Sequence, residues 1–424
     1  MDSIVENIIS KKDQFLANFS ALKSDVKVFG NDITKEAQEA LKNLEFPTSK
    51  TEAWKYTRVN KIIGQQFSVV RNDESFDSKK YHIPGLDATE VVFVNGFYRA
   101  DLSTTIENDI ITVLPLSLLA GKNLDVFHSY FGTIAKHKTE IFTALNTAYC
   151  EDGIFIHVKG NIEKPVHVVN ITNDSKVAAQ SRNLFVAEAN TKADIIQSFI
   201  SDSEDAVFCN QVTEVVVKAN AHLSIDKLQM ESDAAFHISN EAVTQGRDSF
   251  FSINTFSLTG GWIRNNLDIY AKGQGTNTDL YGLYNPKNKE HIDNHTLVDH
   301  CEPDGESNEL YKGIIYDKGR AVFNGKVIVE PDAQRTNAYQ TNANILMSDD
   351  ANINSKPELE IYADDVKCSH GSTTGQFDED AMFYLMARGI KKQNAKKLLT
   401  EAFLSEVVDH CTIEAVRELV SNKM

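Results

Sequence analysis

One pattern recurs in five short segments of this chain: ADIIQSF (193–199), HLSIDKL (222–228), FFSINTF (250–256), DLYGLY (279–284) and ELYKGII (309–315). Aligned by their alternation of apolar and polar residues, the segments share a column formed by Ile195, Ile225, Ile253, Leu280 and Leu310. Members of this column recur at a nearly constant interval of roughly 30 residues, within the range of solenoid repeats. Such a repeat of short strands is typical of stacked coils, each of which buries its inward side chains on the next. We therefore predict a stacked β-helix with this column in its interior.

The strand pattern extends on both sides of these segments and then gives way to helical patterns. From residue 88 to residue 375, β-branched and aromatic residues alternate between Gly, Asn and Asp turns, which predicts a mainly β core. Residues 1–87 and 376–424 are predicted to be helical regions. The first of these regions carries a helical stripe of Ile4, Ile8, Ile9, Phe15 and Phe19. Trp54 and Tyr56 could form a docking surface, but buried aromatics that pack this region onto the core are favoured.

The composition restricts the class of protein and its compartment. The 424 residues include 43 Lys and Arg against 60 Asp and Glu, a net charge of −17, which argues against nucleic acid or an anionic membrane as the main partner. No apolar run reaches the length of about 18 residues that a membrane span needs. The acidic residues Asp2 and Glu6 fit neither a secretory signal nor a transit peptide. We expect a cytoplasmic protein.

The cysteines point to reduced thiols and not to a dedicated metal domain. Cys150, Cys209, Cys301, Cys368 and Cys411 are far apart and form no CxxC pair, so a self-contained structural zinc site or a four-cysteine cluster is not expected. The glycine motifs of P-loop and dinucleotide-binding proteins are also absent from the sequence. Any dependence on ATP would therefore come from a partner, and any metal site would be sparse or completed by another chain.

Cys368 and His370 lie one residue apart in VKCSHGSTTGQFDED (366–380). On a strand, residues i and i+2 point to the same face. A thiolate and an imidazole suit iron or zinc, but two ligands are too few to hold a metal alone. As a nucleophile–base pair they would need a third, orienting group and an oxyanion hole. A buried cysteine beside an exposed histidine, without a function, is the remaining interpretation.

The densest group of ligand-type residues lies in HIDNHTLVDHCEPDGES (291–307). Alternation places Asp293 and His295 on one face and, further along, Asp299 and Cys301 on one face. A solvated turn of the solenoid is the favoured interpretation. The alternative is a stand-alone β-helix enzyme, such as a polysaccharide lyase or hydrolase, with Asp293 and Asp299 as acid and base. The absence of a secretory signal from the sequence argues against this alternative.

The C-terminal helical region carries an apolar stripe in KKQNAKKLLTEAFLSEVVDH (391–410). The residues expected on one face are Ala395, Leu398, Leu399, Ala402, Phe403 and Val407. A helical hairpin after a solenoid could simply cap the open end of its core, which requires no partner. The basic cluster of Lys391, Lys392, Lys396 and Lys397 on an acidic protein favours a partner instead. The residues alone leave both alternatives open.

Four stretches together resemble the SufB/SufD family, whose members are components of the SUF iron–sulfur cluster assembly machinery. They are TEAWKYTRV (51–59), RNNLDIYAKGQGTNTDLYGLY (264–284), the DNHT…YKGI run (293–314) and PELEIYADDVKCSHGSTTGQFDEDAMFYLMARGI (357–390). The chain length and the ELEIYADDVKCSHG form are similar to the SufD branch of the family. The resemblance covers nearly the whole chain and implies a right-handed parallel β-helix between two helical regions, in agreement with the repeat.

The resemblance implies a scaffold subunit and not an enzyme. A SufD-type subunit pairs with a SufB-like paralogue through the ends of their β-helices, and each of the two binds one copy of a SufC-like ABC-type ATPase through its C-terminal helical region. The ATPase-binding residues expected here are Lys396, Lys397, Leu398, Leu399, Ala402 and Phe403. Deletion of residues 391–424 is therefore expected to abolish that association and to leave the solenoid soluble.

The resemblance also implies a cluster site shared with the paralogue. His370 is the candidate metal ligand, opposite a cysteine of the SufB-like chain, and Cys368 is a weaker candidate whose sulfur could serve packing alone. We expect no cofactor bound stably by the isolated chain and an iron–sulfur cluster held transiently in the complex. A SufB-type protein that carries clusters alone is the alternative within the family. The sequence does not decide whether the isolated chain forms a homodimer.

Overall fold

Two ten-stranded sheets face each other and form a parallel β-solenoid of about eight turns, with helices at both ends of the chain. The computed structural model describes residues 12–19 and 31–424. The predicted mainly β class and the parallel β-helix are thus confirmed. Three members of the predicted N-terminal stripe, Ile4, Ile8 and Ile9, lie outside the described residues.

The strands alternate between the two sheets along the chain. In order they are β1 (Thr89–Val94), β2 (Phe97–Tyr98), β3 (Ile106–Glu107), β4 (Ile111–Pro115), β5 (Ile154–Val158), β6 (Val166–Thr172), β7 (Ala178–Ala187), β8 (Lys192–Ser201), β9 (Val207–Val217), β10 (His222–Met230), β11 (Ala235–Gln245), β12 (Phe250–Thr259), β13 (Trp262–Ala271), β14 (Asn277–Tyr284), β15 (His291–His300), β16 (Glu306–Ile315), β17 (Arg320–Val329), β18 (Asn337–Leu346), β19 (Asn352–Ile361) and β20 (Lys367–Gln376). The first sheet has the order β2-β1-β6-β8-β10-β12-β14-β16-β18-β20, and the second has the order β19-β17-β15-β13-β11-β9-β7-β5-β4-β3. Each turn of the solenoid therefore contributes one strand to each sheet.

The helices lie outside the solenoid. They are α1, of which residues 12–19 are described, α2 (Asn31–Asn43), α3 (Asn60–Ile63), α4 (Gly121–Tyr130), α5 (Ile141–Tyr149), α6 (Glu379–Ala387), α7 (Lys392–Val408) and α8 (Glu414–Lys423). Helices α4 and α5 interrupt the strands between β4 and β5, which the alternation pattern did not predict. None of the described helices has both the length and the apolar character that crossing a membrane requires.

Asparagine turns set the spacing between successive coils. Asn190 and Asn220 adopt left-handed backbone conformations, with φ of 62° and 57°, which asparagine tolerates better than most residues. They occupy equivalent turns, and the Asn220 side-chain amide donates to Asn190 Oδ1 at 3.1 Å. Gly273 marks the turn two coils further on, where a Cβ atom would lie 2.1 Å from the backbone nitrogen of Arg247. These positions keep consecutive coils in close backbone contact.

The predicted interior column is confirmed at four of its five positions. Ile225 is the register partner of Ile195 and of Ile253, and Ile253 is the partner of Leu280. The assignment of Leu310 to this column is wrong, because Leu280 pairs with Glu309. That coil is shorter by a single position than the hydrophobic alignment assumed, and such a shift turns a side chain to the opposite face of a strand. Leu310 packs on the outer face, and Glu309 points into the solenoid.

The N-terminal helical region covers the outer face of the second sheet. Phe15 and Trp54 of this region pack there, together with Phe142 of α5, against Phe208 and Trp262, which project outward from β9 and β13. Each such side chain contributes about 1.5–3 kcal/mol when it is fully buried. The prediction of buried aromatics holds for Trp54, which is 8% exposed, but not for Tyr56, which is 47% exposed.

The C-terminal helices cover the outer face of the first sheet. Leu404 and Val407 of α7 and Val416 of α8 are buried there with Phe256 and Leu283 of the sheet. Helix α7 contacts β14 and β16, and α8 contacts β12. The hairpin therefore lies along the flank of the solenoid, and the proposed role as a cap over its open end is wrong. Residues 12–19 and 31–87 and the C-terminal helices leave the edges of β19 and β20 at this end uncovered.

Candidate functional site

The two ends of the solenoid differ in how their strands are closed. At the N-terminal end, the short strands β2 and β3 pair antiparallel with β1 and β4. At the C-terminal end, β19 and β20 are the last strands of their sheets, and within residues 31–424 each pairs with a strand on one side only. Both strands are ten residues long, and nearly all side chains of β20 are exposed. A long free edge of this kind can accept another strand.

His370 lies at the mouth of the solenoid on this free edge. Its register partner is Gln340 in β18, and the partner of Gln340 is Glu309 in β16. Glu309 in turn pairs with Leu280 in β14. His370 is therefore the last residue of the inward column that contains Ile195. The imidazole is exposed, and it makes no hydrogen bond to any other described residue. It is therefore available to a ligand or to a second chain.

A buried polar group lies directly beneath His370 in the column. The Glu309 carboxylate accepts hydrogen bonds of 2.6 Å from Thr296 Oγ1 and of 2.6 Å from Gln340 Nε2. Burial raises the pKa of Glu309 to about 7, although both hydrogen bonds act in the opposite direction. Gln340 Oε1 is buried and has no hydrogen-bond partner among the described residues. The interior of the solenoid below His370 therefore contains a carboxyl group, that of Glu309, which changes charge near neutral pH.

Glu309 and Gln340 were missed in the sequence, although the repeat contains a signal for them. After Leu280, each further coil of the solenoid contributes one residue to the same column, first Glu309, then Gln340 and then His370. These residues therefore continue the period of the apolar column. Polar residues in an apolar column do not stand out when the alignment is guided by hydrophobicity alone.

Cys368 shares the inward face of β20 with His370 but differs in its surroundings. Its register partner is the buried Ala338, and its sulfur packs with a small apolar cluster that includes Val327 and Ala363. Burial raises the pKa of the Cys368 thiol, so the sulfur stays protonated while no metal is bound. In the described chain the sulfur lies against apolar side chains.

The described residues at the open end do not make up a complete metal site. Among them, the exposed ligand group on the inward face of β20 is the His370 imidazole, next to the protonated thiol of Cys368. Iron and zinc sites in proteins use three or four side-chain ligands. A cluster bound here would therefore need ligands from another chain at the free edge.

Most ligand-type residues of segment 291–307 do not lie in a solvated turn, which was the favoured interpretation. His291–His300 form strand β15, and the turn that follows, with Cys301 and the exposed Glu302, is the part that fits that interpretation. Strand β15 places His291, Asp293 and His295 on its outer face, beneath the N-terminal segment. Thr57 Oγ1 donates a hydrogen bond to Asp293 and lies 2.9 Å from His291 Nε2. His295 Nε2 lies 3.0 Å from Asp293 Oδ1, as expected for residues that share a face. These side chains fasten the N-terminal segment to the solenoid.

Arg264 completes this buried polar contact. Its guanidinium donates from Nη1 to Asp293 Oδ2 at 2.5 Å and to the Ala53 carbonyl at 2.8 Å. The guanidinium carbon lies 4.3 Å from the centre of the Trp54 ring. Burial alone would raise the pKa of Asp293, but the positive charge of Arg264 holds it well below its usual range. Three of the stretches that resemble the family, 51–59, 264–284 and 293–314, therefore contact one another at this site.

Asp293 and Asp299 do not form the acid–base pair of a glycosidase. The two residues lie on one strand and six residues apart, which separates them by about 20 Å. Carboxyl groups that act together on a glycosidic bond lie about 5–9.5 Å apart. Asp293 is also fully buried in its contact with Arg264. The geometry therefore contradicts the polysaccharide lyase or hydrolase alternative in the form that uses these two residues.

The predicted partner-binding residues of α7 divide between surface and contact with the solenoid. Lys397, Leu398 and Ala402 are exposed, and Lys396, Leu399 and Phe403 are half-buried. Lys312 Nζ lies 4.6 Å above the Phe403 ring, which fixes that side chain against the first sheet. The buried face of α7 is instead formed by Ala395, Thr400, Leu404, Val407 and Val408.

An exposed apolar patch on α6 and α7 was not predicted in full. It consists of Phe383, Tyr384, Met386 and Leu398, which are 73%, 57%, 42% and 47% exposed. We call these four residues the C-terminal patch. Single exposed apolar residues are common, but several large ones on neighbouring helices indicate a surface that another molecule covers.

Two family models match this chain and together span most of it. The model described as SUF system FeS cluster assembly, SufBD core domain, matches residues 170–403. The model for the SufBD protein N-terminal region matches residues 10–168. Their common boundary falls at β6, where the regular coils of the solenoid begin.

Curated relatives agree with these matches over nearly their full length. An iron–sulfur cluster assembly SufBD family protein of Synechocystis is 31% identical, and the match covers 94% of this chain and 92% of that protein. The iron–sulfur cluster assembly protein SufD of Escherichia coli is 30% identical, with 95% of both chains covered. SufD of Bacillus subtilis is 25% identical, with 97% of both chains covered.

Proposed function

Because the chain belongs to the SufBD family of iron–sulfur cluster assembly proteins, we propose that it is a non-catalytic scaffold subunit of the SUF machinery, of the SufD type. In this role it pairs with a SufB-like chain and holds a nascent cluster at the shared interface. The cluster is cargo that the complex builds and releases. The isolated chain binds no cluster stably.

The open end of the solenoid is the observation that carries this proposal. Strand β20 lies next to β18 in the first sheet, and β19 lies next to β17 in the second. The outer edges of β20 and β19 are free in the described chain. A SufB-like solenoid that docks its own end on these edges would continue both sheets and satisfy the unpaired N–H and C=O groups. His370 would then lie inside the joint and not on an outer surface.

The exposed imidazole of His370 suits a cluster that must later leave. One nitrogen ligand from this chain, added to thiolates of the partner, makes a mixed ligand set. Such a set is completed only while the two solenoid ends are together. We propose His370 as the ligand supplied by this chain and Cys368 as a packing residue next to it.

The C-terminal patch is the proposed docking site for a SufC-like ABC-type ATPase. Phe383 and Leu398 provide exposed apolar area, and Lys396 and Lys397 lie beside it on α7. ATP hydrolysis belongs to that partner in this proposal. Cys150, Cys209 and Cys411 are buried and unpaired, which is compatible with the reducing cytoplasm proposed as the location.

The proposal is tested by replacing His370 in the complex with the SufB-like and SufC-like partners. We expect His370→Ala to leave assembly of the complex intact and to change the free energy of unfolding by less than about 2 kcal/mol, because an exposed side chain is removed. Cluster formation from iron and sulfide, followed by visible absorbance under anaerobic conditions, should fall sharply. Cys368→Ala should have a smaller effect.

His222→Ala is the matched control, because His222 is an exposed histidine on the side of the solenoid. Cluster formation at the wild-type rate by the His370→Ala complex would contradict the shared site. The isolated wild-type chain is reconstituted in parallel. A stable cluster on the isolated chain would favour the SufB-type alternative.

A further inference from the structure

A second group of metal-binding side chains lies inside the solenoid, away from the open end. Among the described residues, Cys209, Glu231 and His237 bring their ligand atoms within 4.8 Å of one another. Cys209 in β9 and His237 in β11 are register partners on adjacent coils, and Glu231 follows the last residue of β10. The strand that contains His237 is four strands from β19, about 19 Å along the axis. The group is therefore separate from His370.

The hydrogen bonds within the protein leave this group incomplete. His237 Nδ1 lies 2.8 Å from Glu231 Oε2, but His237 Nε2 has no hydrogen-bond partner among the described residues, although the residue is 0% exposed. Ser201 Oγ is also buried without a partner. Ser201 follows Ile200, the register partner of Met230, and so lies beside Glu231 on the neighbouring coil. Unpaired polar atoms at a buried site indicate a missing ligand.

The charge around the group also favours a cation. The nearest buried ammonium group, that of Lys227, is committed to Glu241 at 2.7 Å, to Ser239 and to Asn265 Oδ1 at 3.0 Å. Among the described residues, Glu231 therefore pairs with no Lys or Arg side chain, and its ion-pair contact is with the His237 imidazole. A divalent ion bound by one thiolate, one carboxylate and one neutral imidazole forms a group of zero net charge, which burial tolerates best.

We propose that Cys209, Glu231 and His237 form an internal mononuclear site for a divalent transition-metal ion of the Zn²⁺ or Fe²⁺ type. Binding displaces the proton of the Cys209 thiol, whose pKa burial raises well above its ordinary value while no metal is bound. A fourth position is open to a water molecule that can hydrogen-bond to Ser201. The ion links β9, the residue that follows β10, and β11 from inside the solenoid. Because the site is enclosed, the ion is taken up while the chain folds.

The test uses Co²⁺ as a spectroscopic probe of thiolate ligation. The full-length chain is refolded, or produced in defined medium, with Co²⁺ or Zn²⁺, passed over a chelating resin and analysed for metal content. We expect about one ion per chain and, for Co²⁺, a near-ultraviolet sulfur-to-cobalt charge-transfer band with tetrahedral d–d bands in the visible. All measurements are made in the His370→Ala background, which removes binding at the open end.

Cys209→Ser and His237→Gln should lose the ion and the charge-transfer band. Cys150→Ala, the change of another buried and unpaired thiol, should retain both. A His370→Ala chain without bound metal, a Co²⁺-loaded His370→Ala chain without the charge-transfer band, or a Cys209→Ser variant of it with full metal content would each overturn the proposal. The spectrum of the His370→Ala chain decides the question even if a further variant does not fold. The result is independent of cluster assembly.

Discussion

Glu309 is one residue through which the stability of the solenoid interior depends on pH. Its carboxyl group is buried, hydrogen-bonded to Thr296 and Gln340, and has a pKa raised by burial to about 7. In the unfolded chain the pKa returns to its ordinary value of about 4.5. The folded state therefore keeps a proton that the unfolded state has already lost between these two values.

We predict that Glu309 makes the folded protein less stable as the pH rises from about 4.5 to about 7. The protonated carboxyl group stabilises the fold fully below the unfolded-state pKa of about 4.5, and this stabilisation is lost as the pH rises through the folded-state pKa of about 7. The free energy of unfolding changes by up to about 3 kcal/mol in total. Glu309→Gln removes this titration. Urea unfolding at several pH values should show the free energies of unfolding of wild type and variant diverging between pH 5 and pH 8, with the variant relatively more stable at pH 8.

The control for this prediction is Glu306→Gln, which changes an exposed glutamate of the same strand. It should leave the pH profile of stability unchanged. Other buried acids, such as Asp226 with a pKa raised by burial to about 6, titrate equally in both proteins and cancel in the difference. Parallel profiles for wild type and Glu309→Gln would show that the carboxylate is not desolvated in the folded protein.

The C-terminal helices pack on the solenoid and, in the proposed function, also bind a partner. One face of α7, with Leu404 and Val407, covers apolar residues of the first sheet such as Phe256 and Leu283. The sequence alone suggested that residues 391–424 could be deleted without loss of solubility. Because deletion would expose this apolar flank, we now expect the truncated solenoid to aggregate. Surface substitutions are the better test of partner binding.

We predict that Phe383→Ser combined with Leu398→Ser weakens binding of the SufC-like ATPase at least tenfold, the equivalent of about 1.4 kcal/mol. Both side chains are largely exposed, so the thermal stability of the isolated chain should hardly change. Isothermal titration calorimetry or co-purification measures the binding. Ile110→Ser removes an equally exposed apolar residue at the other end of the chain and should bind normally. Unchanged affinity of the double variant would place the ATPase interface elsewhere.

At the scale of the whole molecule, the described parts of the helical regions leave one end of the solenoid free. The N-terminal region lies on the second sheet and the C-terminal region on the first. Short antiparallel strands close the N-terminal end. The free edges of β19 and β20 are therefore the one place in the described chain where another solenoid could extend both sheets at once.

We predict that the isolated chain self-associates through this end and that the SufB-like chain competes for the same edges. Thr374→Pro, at an exposed position of β20, should prevent both associations, because proline cannot donate a hydrogen bond to an added strand. Thr374→Ala keeps the N–H group and should behave as wild type. Light scattering coupled to size-exclusion chromatography measures the mass. A Thr374→Pro protein that still pairs with the SufB-like chain would exclude strand addition at β20.

The sequence determined the local features of this protein. Alternation and the nearly constant spacing of the repeated segments predicted the coils, since side-chain direction in a strand follows from its period of two. The helical regions followed from the change of period. Four stretches together indicated the family, and the long one that contains Cys368 and His370 is specific in residue type and in spacing.

The tertiary structure decided what depends on contacts between distant residues. Hydrophobic alignment placed Leu310 in the interior, but the register of a coil is set by the length of its turns, and Glu309 lies there instead. Thr57 and Asp293 are 236 residues apart in the sequence but form a hydrogen bond in the fold. The apparent ligand cluster is therefore a buried contact that attaches the N-terminal segment to the solenoid. The same holds for the end left open around His370, because the position of each helical region on the solenoid depends on complementary packing of two surfaces that no local pattern encodes.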